Sequence, residues 1–178
     1  FRGESVVALI GDYDTVFAIP DDELPIDYVP REAIHDADTA ADPTTHQIHV
    51  DMPGNIMCQG YCEKGDQEAA FAECDLVAEG DFETGFVEHG YIEPDAGWAQ
   101  RVGDRIEIYG TTQSPYTDLD SMRTVIGVEP DGVRIVPTAP GGGFGSKLDC
   151  TFQPLVAVAA WILNRPVRMV FNRREVMT

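Results

Sequence analysis

The chain has 178 residues, 43% of them hydrophobic and 24% charged, the balance of an ordinary globular protein. Twelve Lys and Arg against 31 Asp and Glu give a net charge of −19. That charge argues against nucleic acid or an anionic membrane surface as partner, because both require basic patches. No apolar run reaches the ~18 residues needed to span a bilayer, so we expect no membrane span.

Four cysteines lack the spacing of zinc ligands: Cys58, Cys62, Cys74 and Cys150. Without a secretory signal they predict reduced, buried thiols and a cytoplasmic protein. The sequence begins Phe1-Arg2-Gly3 with no initiator Met, and we expect an internal piece of a larger protein or one part of a split subunit.

Acidic residues concentrate before residue 100, whereas four arginines lie near the end: Arg165, Arg168, Arg173 and Arg174. One interpretation is that basic surface from the rest of the protein faces this piece. The other is simple solubility, or a salt-adapted source. The sequence leaves both open.

The first part of the chain predicts little regular structure. The apolar run Ser5–Ile10 predicts a buried strand, and the alternation in Ile26–Val29 predicts a short one. Residues 37–66 lose periodicity and predict a linker or a long surface excursion. Cys74–Phe86 predicts an extended strand.

Regular structure follows. Trp98–Tyr109 predicts a hairpin with its turn at Val102-Gly103-Asp104. Ser114 before Pro115 predicts a helix start, and Gly127 predicts its stop. The apolar face of that helix consists of Leu119, Met122, Val125 and Ile126.

The last part alternates strands and helices. Gly132–Val136 predicts a strand, Ala139–Lys147 a glycine-rich loop, Phe152–Leu163 a buried helix and Pro166–Phe171 a final strand. The predicted fold class is therefore mixed α/β, with antiparallel strands followed by a β-α-β-loop-α-β layer.

The loop Gly141-Gly142-Gly143-Phe144-Gly145-Ser146-Lys147 allows main chain to lie close to a ligand. A helix expected just after it could add free N–H groups. The alternative is a flexible connection. The loop does not fit a P-loop, because Ser146 separates the glycine from Lys147. Phe144 must pack on something outside the loop, either core or ligand.

Gln113 lies where a strand ends and a helix begins, the place where α/β folds hold ligands. Its amide both donates and accepts, although an amide here could instead cap the turn. Glu88, His89 and Glu93 offer acid and base types in a loop, but no residue stands out as a general base.

Five ordered motifs make the chain similar to the molybdenum hydroxylase family, which includes xanthine dehydrogenase and aldehyde oxidase. The motifs are Arg2–Ala8, Val87–Pro94, Thr111–Pro115, Gly141–Lys147 and Asn164–Arg168. The resemblance implies that the chain is an incomplete part of a larger, two-domain subunit. Residues 1–66 would end a hammerhead-type domain and continue as linker, and 71–178 would begin the molybdopterin-binding domain.

The resemblance also implies a cofactor, molybdopterin, with a cytosine dinucleotide form among the options. The backbones of Gly142, Gly143, Phe144 and Gly145 would line it, and the Gln113 amide would approach an oxo ligand of molybdenum. Lys147 and Glu88–Pro94 would be architectural and would hold strands and loop in place.

The implied reaction hydroxylates an aldehyde or an N-heterocycle with oxygen from water. Partners would be the remainder of the subunit, a small-molecule substrate, and 2Fe-2S and FAD domains or subunits. Leu148 stands where purine-oxidising members commonly carry a glutamate, which puts xanthine in doubt. The family's catalytic glutamate would lie beyond this segment, so we expect no catalytic residue here and an inactive isolated chain. The rival hypothesis is a non-catalytic acidic interaction module.

Overall fold

The computed structural model describes residues 3–177, so Arg2 of the first motif lies outside the described residues. The chain divides into two compact units, one formed by Asp21–Thr84 and the other by the residues up to 20 together with those from 85 onward. No helix among the described residues is long and apolar enough to cross a membrane. The domain boundary expected between residues 66 and 71 stays a prediction.

The unit Asp21–Thr84 is built from short helices joined by irregular chain. They are α2 (Ala37–Ala41), α3 (Gln67–Ala72) and two 3₁₀ turns, Asp21–Glu23 and Pro53–Asn55. Asp36 and Asp66 cap the two α-helices by accepting hydrogen bonds from backbone N–H groups three residues later. The strands predicted at Ile26–Val29 and Cys74–Phe86 are wrong, since both segments are irregular and no strand within residues 3–177 pairs with them to complete their hydrogen bonds.

The strand predicted at Ser5–Ile10 is also wrong. This segment is exposed and irregular, and it leads into the one-turn helix α1 (Tyr13–Phe17). A short apolar run becomes a strand only where another strand pairs with it, and no described strand does so here.

The second unit contains a four-stranded mixed sheet, and the predicted mixed α/β class is confirmed. Its strands are β1 (Ala96–Val102), β2 (Arg105–Gly110), β3 (Val133–Pro137) and β4 (Val167–Val170), in the order β3-β2-β1-β4. β1 pairs antiparallel with both β2 and β4, and β2 pairs in parallel with β3. The hairpin turn lies where it was predicted, with Gly103 at φ 63°.

The helices are α4 (Pro115–Ile126), α5 (Gln153–Leu163) and α6 (Arg173–Val176). The predicted limits of α4 are confirmed, because Pro115 occupies the first turn and Gly127 takes the left-handed conformation that ends it. Its predicted apolar face is wrong at Val125, which is exposed. The predicted burial of α5 fails at Ile162 and Leu163, both exposed at its C-terminal end.

The core lies between the sheet and the helices α4 and α5. It comprises Ala99, Ile106, Ile108, Met122, Val133, Phe152, Val156, Ala157 and Ala160. Gly97 and Gly110 face each other on β1 and β2, and a Cβ atom on either would lie within 2.5 Å of the Phe152 ring. The absence of both side chains admits this buried ring against the sheet.

All four cysteines are free. The predicted burial is wrong for Cys58, Cys62 and Cys74, which are exposed in this chain. Cys150 is half-buried, and its thiol donates a weak hydrogen bond to the buried carboxylate of Asp118. Burial, reinforced by the Asp118 charge, raises the pKa of Cys150 to about 12.

Candidate cofactor site

Parallel pairing of β2 with β3 brings two of the sequence motifs to one edge of the sheet. Gly110 at the end of β2 is paired with Pro137 at the end of β3, and Thr138 N donates to Gly110 O at 3.0 Å. The chain leaves this edge as Thr111–Gln113 from one strand and as the glycine loop from the other. This edge is where α/β sheets place ligands.

Gln113 holds the C-terminal end of the glycine loop, at Gly145 and Lys147. Its side-chain oxygen Oε1 accepts hydrogen bonds from the backbone nitrogens of Gly145 at 2.9 Å and Lys147 at 3.2 Å. Gln113 N donates to Lys147 O at 2.9 Å. Two N–H donors require an acceptor, so the oxygen end of the amide must face the loop. The Nε2 end of this exposed side chain therefore remains as a hydrogen-bond donor.

Glycine is needed at position 143 for a steric reason. A Cβ atom there would lie 2.4 Å from Gln113 Oε1, in the space that the anchoring amide occupies. Gly142, Phe144 and Gly145 have positive φ angles of 106°, 53° and 105°. Only glycine adopts such angles freely, and Phe144 is among the few non-glycine residues in this region.

The middle of the loop presents unused backbone donors. Among the described residues, the N–H groups of Gly142, Gly143 and Phe144 have no hydrogen-bond acceptor. The N–H groups of Gly141 and Gly145, on either side, are both engaged by side chains. Where the sign of φ changes between neighbouring residues, as it does at Gly142, Gly143 and Phe144, successive N–H groups can point toward one anion.

Phe144 does not pack on the core. Its side chain is at the surface and the residue is 75% exposed, at the tip of the loop beside the open N–H groups. The helix expected after the loop at Phe152–Leu163 is confirmed as α5, which begins at Gln153. A 3₁₀ turn (Ser146–Leu148) lies between the loop and α5, so the N-terminus of the helix does not adjoin the loop as expected.

Glu93 joins the two ends of the loop, because it binds Gly141 at the start and the side chain of Lys147 at the end. The Lys147 side chain is 1% exposed, and Nζ donates to Glu93 Oε2 at 2.8 Å, to Glu93 O at 3.2 Å and to Thr111 Oγ1 at 3.2 Å. Glu93 Oε2 also accepts from Gly141 N at 2.7 Å. Burial raises the pKa of Glu93, but the hydrogen bonds from Lys147 and Gly141 outweigh burial, so its pKa is lowered.

Tyr91 lies beneath this pair. Its ring is buried, with Lys147 Nζ 4.7 Å from the ring centroid, and its hydroxyl donates to Asp95 at 2.7 Å. Burial and then the hydrogen bond to Asp95 raise the pKa of Tyr91 to about 12. Arg173 donates to the backbone oxygens of Tyr91 and Ile92, so this C-terminal arginine has acceptors within the chain.

The resemblance gave Lys147 and Glu88–Pro94 the role of holding strands and loop in place, but it did not say which of these residues contact the loop. A Cβ atom on Gly145 would lie 3.6 Å from His89 Nε2, and Glu88 turns back to accept from Gly90 N at 2.6 Å. A partial sequence signal was present, because Lys147 is the only base of the glycine loop and Val87–Pro94 offers two acids, Glu88 and Glu93, as partners. In residues 3–177, no group of three or more His, Cys, Asp or Glu side chains could hold a metal ion.

Comparison with known proteins identifies a family for this chain. Residues 48–178 match the family described as "Molybdopterin cofactor-binding domain". The large molybdopterin subunit of nicotinate dehydrogenase from Eubacterium barkeri is 34% identical over 88% of this chain. Aldehyde oxidoreductase from Megalodesulfovibrio gigas is 28% identical over 97%. The solved aldehyde oxidoreductase of Desulfovibrio gigas superposes on 77% of the chain with a TM-score of 0.66 and 32% identity.

The match covers only part of each relative. The chain spans 37% of the nicotinate dehydrogenase subunit, 19% of the curated aldehyde oxidoreductase and 15% of the solved one. The family match itself covers well over half of this chain. The chain belongs to the molybdopterin cofactor-binding domain family of the molybdenum hydroxylases.

Proposed function

We propose that this chain forms one wall of the molybdopterin site of an oxidoreductase, with Gln113, Gly142, Gly143, Phe144 and Gly145 against the cofactor. One observation carries the proposal. The oxygen of Gln113 is occupied by loop N–H groups, so Nε2 and the N–H groups of residues 142–144 remain as donors on one edge of the sheet.

These residues fit such a cofactor. A molybdenum pterin offers oxo, phosphate and ring-nitrogen acceptors, and this edge offers neutral donors. The missing Cβ atom of Gly143 lets the Gln113 amide lie directly against the loop, so that both sets of donors belong to one surface. Gln113 would donate to an oxo ligand, while Gly142, Gly143 and Phe144 would bind acceptors of the pterin. When bound, the group supplies two-electron redox chemistry, and the chain orients it.

The substrate is proposed to be an aldehyde or an N-heterocycle that gains oxygen from water. The names of similar proteins support both classes, since one acts on nicotinate and another on aldehydes. Leu148, half-exposed after the loop, offers no hydrogen bond to a purine ring, which argues against xanthine. The cytosine dinucleotide form, the 2Fe-2S and FAD partners, and the two domains at 1–66 and 71–178 remain part of this proposal.

The test is cofactor content. The whole protein containing this chain is purified from cells supplied with molybdate, and matched cells supplied with tungstate serve as the control. Stoichiometric molybdenum and pterin, with oxidation of aldehydes or N-heterocycles only in the molybdate preparation, is the expected result. A pure, folded protein with neither pterin nor metal would contradict it and favour the acidic interaction module.

A further inference from the structure

A second polar contact of the glycine loop, besides that with Gln113, is made by Lys147 and Glu93. Lys147 is a cation removed from water, with three oxygens around Nζ and the Tyr91 ring beside it. A buried ammonium is costly unless it is paired and hydrogen-bonded, and here both conditions are met.

The Glu93–Lys147 ion pair joins the two ends of the glycine loop. One carboxylate oxygen, Glu93 Oε2, binds both the side chain of Lys147 and the backbone N–H of Gly141. These two residues bound the loop, so a single oxygen closes it. Glu93 N also donates to Gly141 O at 3.3 Å, which ties the start of the loop to Glu93 in both directions.

An apolar pair would fill this space at less desolvation cost, because replacing buried ion pairs by hydrophobic residues is often neutral or stabilising. The directed bonds do what apolar contacts cannot, since they specify the position of each loop end. The hydrogen bonds from Gly145 N and Lys147 N to Gln113 Oε1 fix the C-terminal end of the loop in the same way.

We propose that Glu93 and Lys147 are positioning residues that hold the glycine loop in the shape that accepts the cofactor. This inference rests on the proposed function above. Neither residue touches the cofactor in this account. They act through the backbone of Gly141 and Lys147, which sets where the open N–H groups of Gly142, Gly143 and Phe144 lie.

The burial of the two partners differs, and the difference predicts an order of effects. The Glu93 side chain is 33% exposed, whereas that of Lys147 is 1% exposed. Glu93→Gln leaves the buried ammonium of Lys147 without a negatively charged partner, in a place that water does not reach. Lys147→Met leaves a carboxylate that water can reach and that still accepts from Gly141 N. Glu93→Gln is therefore the more damaging single change.

The experiment measures release of molybdopterin from the loaded protein, by fluorescence of the oxidised pterin, together with thermal unfolding. The variants are Glu93→Gln, Lys147→Met and the double variant. The double variant removes both charges and so avoids an unpaired buried one. The matched control is Glu107→Gln, which removes another buried carboxylate paired with an arginine, Arg105, on β2.

We expect the double variant to unfold near the wild-type temperature yet release the cofactor about tenfold faster or more, as expected for a lost charge-assisted bond. Glu93→Gln should release it faster than Lys147→Met, and Glu107→Gln should release it at the wild-type rate. A folded double variant that keeps the cofactor as the wild type does would overturn the inference. So would equally fast release from Glu107→Gln. A wild-type protein without molybdopterin would instead overturn the proposed function, and this inference with it.

Discussion

The side-chain oxygen of Gln113 lies 2.9 Å from the backbone nitrogen of Gly145, although 32 residues separate the two in sequence. This hydrogen bond decides which end of the amide faces outward. A neutral glutamine could serve a cofactor as donor or acceptor, but here the acceptor is already occupied. The donor end remains, and it suits an acceptor such as a metal-bound oxo group.

Gly143→Ala tests the close approach of the loop to Gln113. The new methyl would meet Gln113 Oε1 at 2.4 Å, so the glutamine side chain must move and its bond to Gly145 N is lost. We expect cofactor affinity to fall about tenfold or more, with little change in unfolding, because a side chain rather than backbone gives way. Gly85→Ala is the control, since a Cβ atom there meets nothing within 4 Å. Equal affinity in both variants would contradict the expectation.

Gly97→Ala tests the packing of Phe152 on the sheet. A Cβ atom at Gly97 would lie 2.0 Å from the buried ring and 2.5 Å from the backbone oxygen of Tyr109. Neither can move freely, so we expect the free energy of unfolding to fall by about 3 kcal/mol, measured in urea. Phe152→Leu in the same protein should recover part of the loss relative to the sum of the two changes. Additive losses would show that the two positions do not interact.

Acid should break the contact of Glu93 with Lys147 and Gly141 and so loosen the loop. The pKa of Glu93 is lowered in the folded chain, so the Glu93–Lys147 pair contributes stability that is present above the ordinary glutamate pKa. That stability is lost as the pH falls through the lowered value, below about 4.5. Hydrogen exchange of residues 139–147, corrected for the intrinsic pH dependence, should accelerate there and stay constant from pH 5 to 7. Glu93→Gln should show no such acid step.

Cys150 should be the least reactive cysteine. Burial and the nearby Asp118 raise its pKa to about 12, so almost none of it is thiolate at pH 8. Alkylation followed by mass spectrometry should label Cys150 last, and urea should remove the protection.

The raised pKa of Cys150 also means that this group's contribution to stability is present below pH 9 and is lost between pH 9 and about 12. Labelling of Cys150 in the native protein at the rate seen in urea would contradict both statements.

Sequence reasoning succeeded where local signals and sheet pairing agree. The hairpin turn at Gly103, the helix start at Ser114-Pro115 and its end at Gly127 are each specified by residues within a few positions. The meeting of Gln113 with the glycine loop could also be anticipated, because both follow strands that proved to be parallel neighbours.

It failed where structure depends on a distant partner. Ser5–Ile10 and Cys74–Phe86 have the composition of strands, but no described strand pairs with them, and composition alone does not supply the missing hydrogen bonds. The direction of the Gln113 amide could not be predicted either, because it depends on two N–H groups more than 30 residues away. The shared oxygen of Glu93 is the same kind of relationship, made across 48 residues to Gly141.

The most direct test of the account compares Gln113→Glu with Gln113→Ala in the cofactor-loaded protein, by turnover per bound molybdenum. Glutamate can still accept from Gly145 N and Lys147 N, so the loop keeps its anchor, but its other oxygen cannot donate. Alanine loses both the anchor and the donor. Losing one hydrogen bond to a charged centre, about 1.5–3 kcal/mol, should lower turnover by about one to two orders of magnitude in both variants. Faster release of the cofactor is expected for both variants and more so for alanine, which also loses the loop anchor. Wild-type turnover in Gln113→Glu would contradict donation from this amide to the cofactor.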